Sequence, residues 1–293
     1  EAIVLLAWGR SHRTSTDGEL IGWGADLARV EGRVGNDVVE VAVTRTGGRV
    51  DLCLNRPAQF NALSDELLDA LEQALVAIGH DATVRCVVLS GAGKAFCAGH
   101  DLRQMHATPT LDYYRRLFAK CTVVMEAITR LPVPVIARVH GIATAAGCQL
   151  VASCDLAIAS HSARFAVSGI NVGLFCSTPA VALSRNVATK RAFEMLATGR
   201  FIDAATAADW GLVNDAVPDD QLDDRVGALV REIEAKSPAA LRYGKALFCA
   251  QQELTRSDAY RLAAEVMAQN MMEDDAMEGI GAFLDKRPPK FKS

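Results

Sequence analysis

Three short runs of almost uninterrupted apolar residues constrain the fold of this 293-residue chain more than any other feature. They read VRCVVLS at 84–90, VPVIARV at 133–139 and CDLAIAS at 154–160. Runs of this length without polar alternation are typical of strands that are buried on both faces of a parallel sheet. Helical patterns separate the runs, as the crossovers between parallel strands require. The sequence therefore predicts a mixed α/β fold with a β-β-α rhythm.

The helical patterns around these runs have clear starts and stops. Ser64 can cap a helix over residues 65–79, whose leucines recur at helical spacing. A longer pattern covers residues 111–131 and stops at Pro132, and a short one covers 145–152. Each helix is long enough to connect two neighbouring strands of one sheet.

Both ends of the chain differ from this α/β body. Residues 38–55 alternate as a β-hairpin with Gly47 and Gly48 at its turn, and beyond residue 237 only helical patterns remain. We therefore predict three parts: an N-terminal extension at 1–36, an α/β core at 37–236 and a C-terminal helical region at 237–293.

The composition excludes several classes of function. With 31 basic and 35 acidic residues the formal net charge is −4, so the chain as a whole attracts neither nucleic acid nor an anionic membrane. No apolar run approaches the roughly 18 to 20 residues that span a bilayer. Eight scattered cysteines without a CxxC pair predict neither a disulfide framework nor a metal site. These features predict a soluble, cytoplasmic protein.

The N-terminal extension carries no strong targeting signal. Its opening run AIVLLAW is about half the length of a secretory core, and Asp17 and Glu19 argue against a transit peptide. We interpret residues 1–36 as a natural extension or a cloning remnant.

Two loops of small residues, AFCAGHDL at 95–102 and ATAAGCQ at 143–149, carry the strongest hint of chemistry. The second loop follows a predicted buried strand and opens a helix, whose first N–H groups have no intrahelical partner. Two such N–H groups aimed at one oxygen would form an oxyanion hole. The alternative is that the small residues only let a helix pack closely on the sheet.

Five further segments of the sequence form a recognisable set. They are LNRPAQFNALS (54–64), KAFCAGHDL (94–102), PVPVIARVHGIATAAGCQLVASCDLAIAS (132–160), TGRFIDAATAADWGLVNDAVP (198–218) and EGIGAFLDKRPPKF (278–291). Together, and in this order, they resemble the enoyl-CoA hydratase/isomerase, or crotonase, superfamily. The resemblance implies a crotonase-like ββα spiral core with a C-terminal helical oligomerisation region, a homotrimer or a hexamer built from two trimers, and acyl-CoA as the ligand. It implies no cofactor beyond the CoA moiety of the substrate.

The resemblance also assigns roles to particular residues. The backbone N–H groups of His100 and Ala146 would hold the thioester oxygen and stabilise an enolate. Phe283 and Lys286 of the last helix would close over the nucleotide from a neighbouring subunit, and Arg287 would add a further cation there. The other residues expected at the CoA moiety are Arg56, Gln59, Phe60, Ala62, Ala98, Asp101 and Leu102.

Hydratases of this family use two glutamates for proton transfer, and the resemblance places Gln149 and Gly169 at their positions. The amide of Gln149 has no proton-transfer capacity near neutral pH, and Gly169 has no side chain. Gln149 therefore occupies the position of a catalytic glutamate but cannot transfer a proton as a glutamate would. Restoring both acids is expected to raise hydration, provided that position 169 has room for a side chain.

Three functions stay open on the sequence. The first is an acyl-CoA lyase or isomerase that stabilises an enolate and takes its acid or base from elsewhere. The second is a non-catalytic acyl-CoA-binding pseudo-enzyme. The third is a hydratase with displaced acid and base groups, for which the candidates are His100, His106, Asp112, Tyr113 and Tyr114.

Overall fold

Two sheets form the frame of the protein in the computed structural model, which describes residues 27–34 and 37–292, with side chains from Val41 onward. The strands are β1 (Leu27–Val34), β2 (Asp37–Thr46), β3 (Arg49–Asn55), β4 (Cys86–Gly91), β5 (Ala95–Cys97), β6 (Val135–Val139), β7 (Ile142–Thr144), β8 (Leu156–Ser160), β9 (Arg164–Ala166), β10 (Ile202–Asp203) and β11 (Asp215–Val217). A seven-stranded sheet has the order β1-β2-β3-β4-β6-β8-β11, and a four-stranded sheet has the order β10-β9-β7-β5.

The helices of the described residues cover the sheets and then continue alone to the C-terminus. They are α1 (Asp65–Gly79), α2 (Leu102–Ala107), α3 (Leu111–Arg130), α4 (Ala146–Ser153), α5 (Ser177–Asn186), α6 (Thr189–Thr198), α7 (Ala204–Asp209), α8 (Leu222–Glu234), α9 (Pro238–Gln251), α10 (Arg256–Met271) and α11 (Asp274–Leu284). Short 3-10 helices at Pro57–Gln59, Ser168–Val172 and Asp219–Gln221 accompany them.

The chain order explains the spiral. The pairs β4 and β5, β6 and β7, and β8 and β9 each give one strand to the large sheet and the next to the small one. Helices follow each pair, and the pairings of β4 with β6, of β6 with β8 and of β5 with β7 are parallel. This is the predicted β-β-α rhythm, and it confirms the mixed α/β fold with a helical C-terminal region.

The core fills the space between the sheets and the helices. Its largest fully buried side chains include Phe96 of β5 and Phe165 of β9, together with leucines of β3 and α1. A smaller cluster lies between α8 and the large sheet, around Val88 and Val226. Burial on both faces explains why the central strands read as uninterrupted apolar runs.

Several local predictions are confirmed. The hairpin is β2 and β3, paired antiparallel around the turn at 47–48. Ser64 caps α1 by accepting the N–H of Leu67 at 3.2 Å. The long helix predicted at 111–131 is α3, and the short one at 145–152 is α4.

Strand β1 lies inside the segment predicted to be an N-terminal extension. It pairs antiparallel with β2 along its whole length, from Leu27 opposite Thr44 to Val34 opposite Asp37. Apolar and polar residues alternate too weakly in its sequence LARVEGRV to predict a strand from the sequence alone. Its pairing with the neighbouring strand β2 determines the strand instead. Residues 1–26 of the predicted extension lie outside the described residues, and the three-part division stays a prediction.

Within the described ranges, none of the helices combines the length and the apolar content that crossing a membrane requires. The same residues contain no group of three or more His, Cys, Asp or Glu side chains that could hold a metal ion.

Candidate active site

The first small-residue loop is held against the turn that follows β3. The N–H of Ala98 donates to the carbonyl of Phe60 at 3.0 Å, and the N–H of Leu63 donates to the carbonyl of Gly99 at 2.7 Å. Asp101 in turn donates its N–H to the carbonyl of Leu63 at 3.0 Å. The N–H of His100, between these bonded groups, donates to no described residue.

The second loop contains a strained residue immediately before α4. Ala145 has φ 50° and ψ −119°, a conformation that glycine adopts easily and alanine rarely does. Its N–H donates to the carbonyl of Ala166 at 2.9 Å, which helps to hold it in place. The next residue, Ala146, is the first of α4, and its N–H has no described partner. Strain of this kind costs of order 1 to 3 kcal/mol and clusters at functional sites.

The two loops lie next to each other because β5 and β7 pair in parallel and end at the same edge of the small sheet. Gly99 has φ +88°, and a Cβ there would lie 2.9 Å from the Cβ of Ala145 and 3.2 Å from the nitrogen of Ala146. Only glycine allows this approach. His100 directly follows Gly99 in the chain, and Ala146 directly follows Ala145. The close approach of Gly99 to Ala145 therefore brings the unpartnered N–H groups of His100 and Ala146 into one region.

The imidazole of His100 is neutral at pH 7. Burial lowers its pKa to about 4, although the Asp65 carboxylate acts in the opposite direction. Its ring meets the ring of Phe118 edge-on at 5.4 Å, and its Nε2 atom is buried without a described hydrogen-bond partner.

Arg56 and Asp101 form an ion pair that supports the first loop. Arg56 is buried; its Nη1 atom donates to Asp101 at 2.6 Å and to the carbonyl of Ala62 at 3.1 Å. Burial raises the pKa of Asp101, but the hydrogen bonds from Arg56 and from the Gln104 N–H outweigh it, so the pKa lies below its usual value. The charge of Arg56, a residue expected at the CoA moiety, is thus paired with Asp101.

Sequence reasoning missed the residue that joins the turn to this loop. Asn61 is fully buried at φ 55°, and its Oδ1 accepts the N–H of Arg56 at 2.9 Å. Its Nδ2 donates to the carbonyls of Ala92 and Ala95 at 2.9 and 2.8 Å. The signal was present, because Asn tolerates the left-handed conformation and bonds nearby backbone.

Gln149 lies one helical turn after Ala146 and is 5% exposed. Its Oε1 atom is buried and accepts no hydrogen bond from a described residue. Gln149 also lines a large cavity between the core and the C-terminal helices.

Position 169 has no room for a side chain. A Cβ on Gly169 would lie 2.5 Å from the carbonyl oxygen of Leu174 and 2.8 Å from Sγ of Cys176. Two hydrogen bonds hold this arrangement: Leu174 N–H to the Gly169 carbonyl at 3.0 Å, and Gly169 N–H to Cys176 Sγ at 3.3 Å. Burial raises the pKa of the Cys176 thiol, which therefore stays protonated at neutral pH.

The residues expected at the CoA moiety fall into two groups. Those of the turn and the first loop are adjacent in space, since the backbone bonds above join 60 to 98 and 63 to 99 and 101. The side chains of Phe60 and Leu102 are exposed there, whereas Gln59, Ala62 and Ala98 are half-buried. Phe283 is 81% exposed at the end of α11, close to the exposed Lys286. Arg287 pairs with Glu278 at 2.7 Å.

Comparison with known proteins identifies the family. A sequence profile described as enoyl-CoA hydratase/isomerase matches residues 46–293. The mitochondrial enoyl-CoA hydratase domain-containing protein 3 of Xenopus laevis is 43% identical over 238 residues, 81% of this chain and 81% of its own. The crystal structure of an enoyl-CoA hydratase from Mycobacterium smegmatis is 56% identical with a TM-score of 0.84, over 90% of this chain and 99% of that chain. The chain therefore belongs to the enoyl-CoA hydratase/isomerase family, as the five segments predicted.

One prediction is corrected by these relatives. The Xenopus laevis protein and its human counterpart, which is 42% identical over 239 residues covering 82% of this chain and 79% of its own, are both named as mitochondrial. This finding contradicts the prediction of a cytoplasmic protein. The prediction rested on the scattered cysteines and on the lack of an apolar run long enough for a membrane span or a secretory signal, and these features do not specify a cellular compartment.

Proposed function

We propose that this protein binds acyl-CoA thioesters and stabilises an enolate of the acyl group. In this proposal the thioester oxygen accepts hydrogen bonds from the N–H groups of His100 and Ala146. The observation that carries it is the contact of Gly99 with Ala145 and Ala146, which brings the two unpartnered N–H groups together. Two such donors in a site without bulk water each contribute on the order of 3 kcal/mol to an oxyanion.

The same proposal separates this protein from a two-glutamate hydratase. At the two positions that the resemblance gives to the acids, Gln149 carries an amide and Gly169 has no space for a carboxylate. The reaction that fits is one that passes through an enolate and receives its proton from solvent or from another group. A pseudo-enzyme that only binds acyl-CoA would share the site, and turnover distinguishes the two.

The turn and the first loop supply the surface for the CoA moiety in this proposal. Phe60 and Leu102 offer exposed apolar side chains, and Gln59, Ala62 and Ala98 lie with them. Arg56 and Asp101 act indirectly, since their ion pair and the Asn61 hydrogen bonds hold the loop in shape. No cofactor beyond the CoA moiety is needed for these roles.

We also propose that the C-terminal helices mediate a homotrimer, alone or stacked in pairs. No residue of α10 is buried, and Tyr260, Met267 and Met272 are largely exposed. Clustered exposed apolar side chains of this size mark protein interfaces. Phe283 and Lys286 would then reach the nucleotide of a neighbouring subunit, where Lys286 supplies the cation that Arg56 does not.

The test is the binding of an enolate-mimicking CoA analogue to an Ala146→Pro variant. Proline removes the N–H, and we expect the affinity for the analogue to fall by about 10²-fold, the effect of losing one oxyanion donor. The affinity for CoA itself should change less than about threefold, because the nucleotide contacts lie on other residues.

Ala146→Gly is the matched control, since it changes the same residue and keeps the N–H. Its affinity for the analogue should remain within a few-fold of wild type, and thermal unfolding should verify that both variants are folded. Equal losses for CoA and for the analogue in folded Ala146→Pro would contradict the assignment.

A further inference from the structure

The last described residues of the chain fold back along α11. The backbone N–H of Lys290 donates to Oε1 of Glu278 at 2.8 Å, and the backbone N–H of Lys292 donates to Oδ1 of Asp275 at 2.8 Å. Both acceptors are carboxylates of α11, one turn apart. The segment 287–292, which we call the C-terminal tail, is therefore attached to α11 through its own main chain.

Glu278 also holds the start of the C-terminal tail. Its two carboxylate oxygens accept hydrogen bonds from Nη1 and Nη2 of Arg287 at 2.7 and 2.8 Å, which lowers the pKa of Glu278 to about 2. An exposed ion pair alone contributes little to stability. Here the same carboxylate accepts the Lys290 N–H as well, and the ring of Phe291 packs on Gly279, where a Cβ would lie 3.4 Å from Cε1 of the ring. Three different contacts thus hold the tail on α11.

Asp275 connects the C-terminal tail to a second helix. It is 6% exposed, and its Oδ2 accepts the Ser237 hydroxyl at 2.6 Å. Oγ of Ser237 accepts the N–H of Ala240 in the first turn of α9 at 3.1 Å. The tail, α11 and α9 therefore meet at one buried carboxylate, which defines the position of the tail relative to both helices.

Lys286 lies where the chain reverses between α11 and the C-terminal tail. Its φ of 54° is in the left-handed region, which a helix end usually fills with glycine. The N–H of Lys286 donates to the carbonyl of Phe283 at 3.2 Å, and the N–H of Arg287 donates to that of Ala282 at 2.9 Å. A lysine keeps this conformation only where the surrounding structure holds it. The attachment of the tail beyond Lys286 supplies that constraint.

We propose that the C-terminal tail is a brace that fixes the direction of the Lys286 side chain, with Glu278 and Asp275 as the positioning residues that hold the brace. The inference rests on the proposed function, in which Lys286 supplies a cation to the nucleotide of a neighbouring subunit. A fixed backbone leaves the ammonium group less freedom to lose when it meets a phosphate. Both carboxylates act through the backbone of Lys286 and not through contact with the nucleotide.

The test removes the two backbone donors of the tail and leaves both carboxylates in place. Substitution of Glu278 itself would release Arg287, a second cation, and obscure the result. The tail-proline variant carries Lys290→Pro and Lys292→Pro, which remove the N–H groups. The tail-alanine variant carries Lys290→Ala and Lys292→Ala and is the matched control, because it loses the same two ammonium groups and keeps both N–H groups.

Calorimetry on the full-length protein measures the affinity for an enolate-mimicking CoA analogue and for its pantetheine form, which lacks the nucleotide. Lys286→Ala should weaken the CoA form by about 10-fold to 100-fold, the effect of losing one charge-assisted hydrogen bond. The tail-proline variant should weaken it about three- to tenfold relative to the tail-alanine variant, the cost of ordering one long side chain on binding. The pantetheine form should bind all variants equally within about twofold.

Combining Lys286→Ala with each tail variant separates positioning from general stability. If the brace acts through Lys286, the prolines should change the affinity for the CoA form by less than about twofold once Lys286 is alanine. Ultracentrifugation and thermal unfolding should find the same oligomer and similar melting temperatures throughout. If the paired prolines alter the oligomer, Lys290→Pro with Lys290→Ala as its control gives the same comparison.

The contrary results are distinguishable. Equal affinities of the tail-proline and tail-alanine variants, with a large effect of Lys286→Ala, overturn the brace and leave the nucleotide contact standing. A loss from the prolines that persists in the Lys286→Ala background, or that extends to the pantetheine form, overturns the inference by showing a general structural role. An affinity for the CoA form that Lys286→Ala does not change refutes the proposed nucleotide contact together with the inference.

Discussion

Restoring the two acids of a hydratase should fail at position 169 and succeed only partly at position 149. A carboxylate at 169 needs a Cβ that would lie 2.5 Å from the Leu174 carbonyl oxygen and 2.8 Å from Cys176 Sγ. Both contacts are well inside van der Waals separation, and one of them is with backbone. The segment from 169 to 176 must therefore move before any side chain fits.

The size of both effects follows from the structure. Overpacking of this kind costs about 1 to 3 kcal/mol, so Gly169→Ala and Gly169→Glu should both lower the melting temperature by several degrees. Gln149→Glu is nearly isosteric, and burial without a donor to Oε1 should raise the pKa of the new carboxyl toward neutrality. One general acid or base in that range contributes at least about 10²-fold when its partner is present, and less when it acts alone.

The assay is crotonyl-CoA hydration by wild type, Gln149→Glu, Gly169→Glu and the double variant, with CoA affinity and melting temperature measured on each. Wild type should be at least about 10⁴-fold slower than a two-glutamate hydratase, because neither Gln149 nor Gly169, at the positions that the resemblance gives to the two acids, can transfer a proton. Gln149→Glu should gain about tenfold to 10²-fold, and the double variant should not exceed it.

Two results would refute this reasoning. A double variant that exceeds Gln149→Glu by tenfold or more, with an unchanged melting temperature, would show that the loop makes room for a side chain at 169. Wild-type turnover of tens per second, an ordinary enzyme rate, would show that a group outside these two positions performs the proton chemistry.

Two further predictions concern pH and assembly. The pKa of His100 is about 4 in the folded protein and 6.5 in the unfolded chain, so between these pH values the unfolded chain binds more protons. The free energy of unfolding should therefore fall as the pH drops from 6.5 to 4. Chemical denaturation of His100→Gln should show a smaller fall than wild type, and an identical pH profile would contradict the burial of the ring. Truncation before Asp258 removes α11 and all but the first two residues of α10, together with their exposed apolar side chains. Ultracentrifugation should therefore find monomers or aggregates in place of a defined oligomer. A soluble trimer with unchanged CoA affinity would disprove the role of these helices.

The sequence predicted the parts of the fold that are determined locally. Uninterrupted apolar runs indicated β4, β6 and β8 because burial on both faces removes polar alternation. Ser64 indicated the start of α1 because a hydroxyl at that position accepts an N–H of the first turn. Strand β1 was not predicted because its pairing with β2, and not its own pattern, specifies it.

The candidate site depended on the resemblance and on contacts that no local pattern encodes. The resemblance indicated His100, Ala146 and Gln149, but the approach of Gly99 to Ala145 depends on two loops 46 positions apart. The lack of room at Gly169 depends on the later segment at 174–176 folding back onto it. Spacing along the chain carries no information about such distances.

A crystal structure of the protein with an enolate-mimicking acyl-CoA analogue tests the central claim most directly. The account predicts the oxygen that replaces the thioester carbonyl at about 2.7 to 3.1 Å from the backbone nitrogens of both His100 and Ala146. It also predicts that no carboxylate oxygen, from the same subunit or a neighbouring one, lies within about 4 Å of the reacting carbons. An oxygen bound away from either nitrogen, or a carboxylate beside those carbons, would contradict the account.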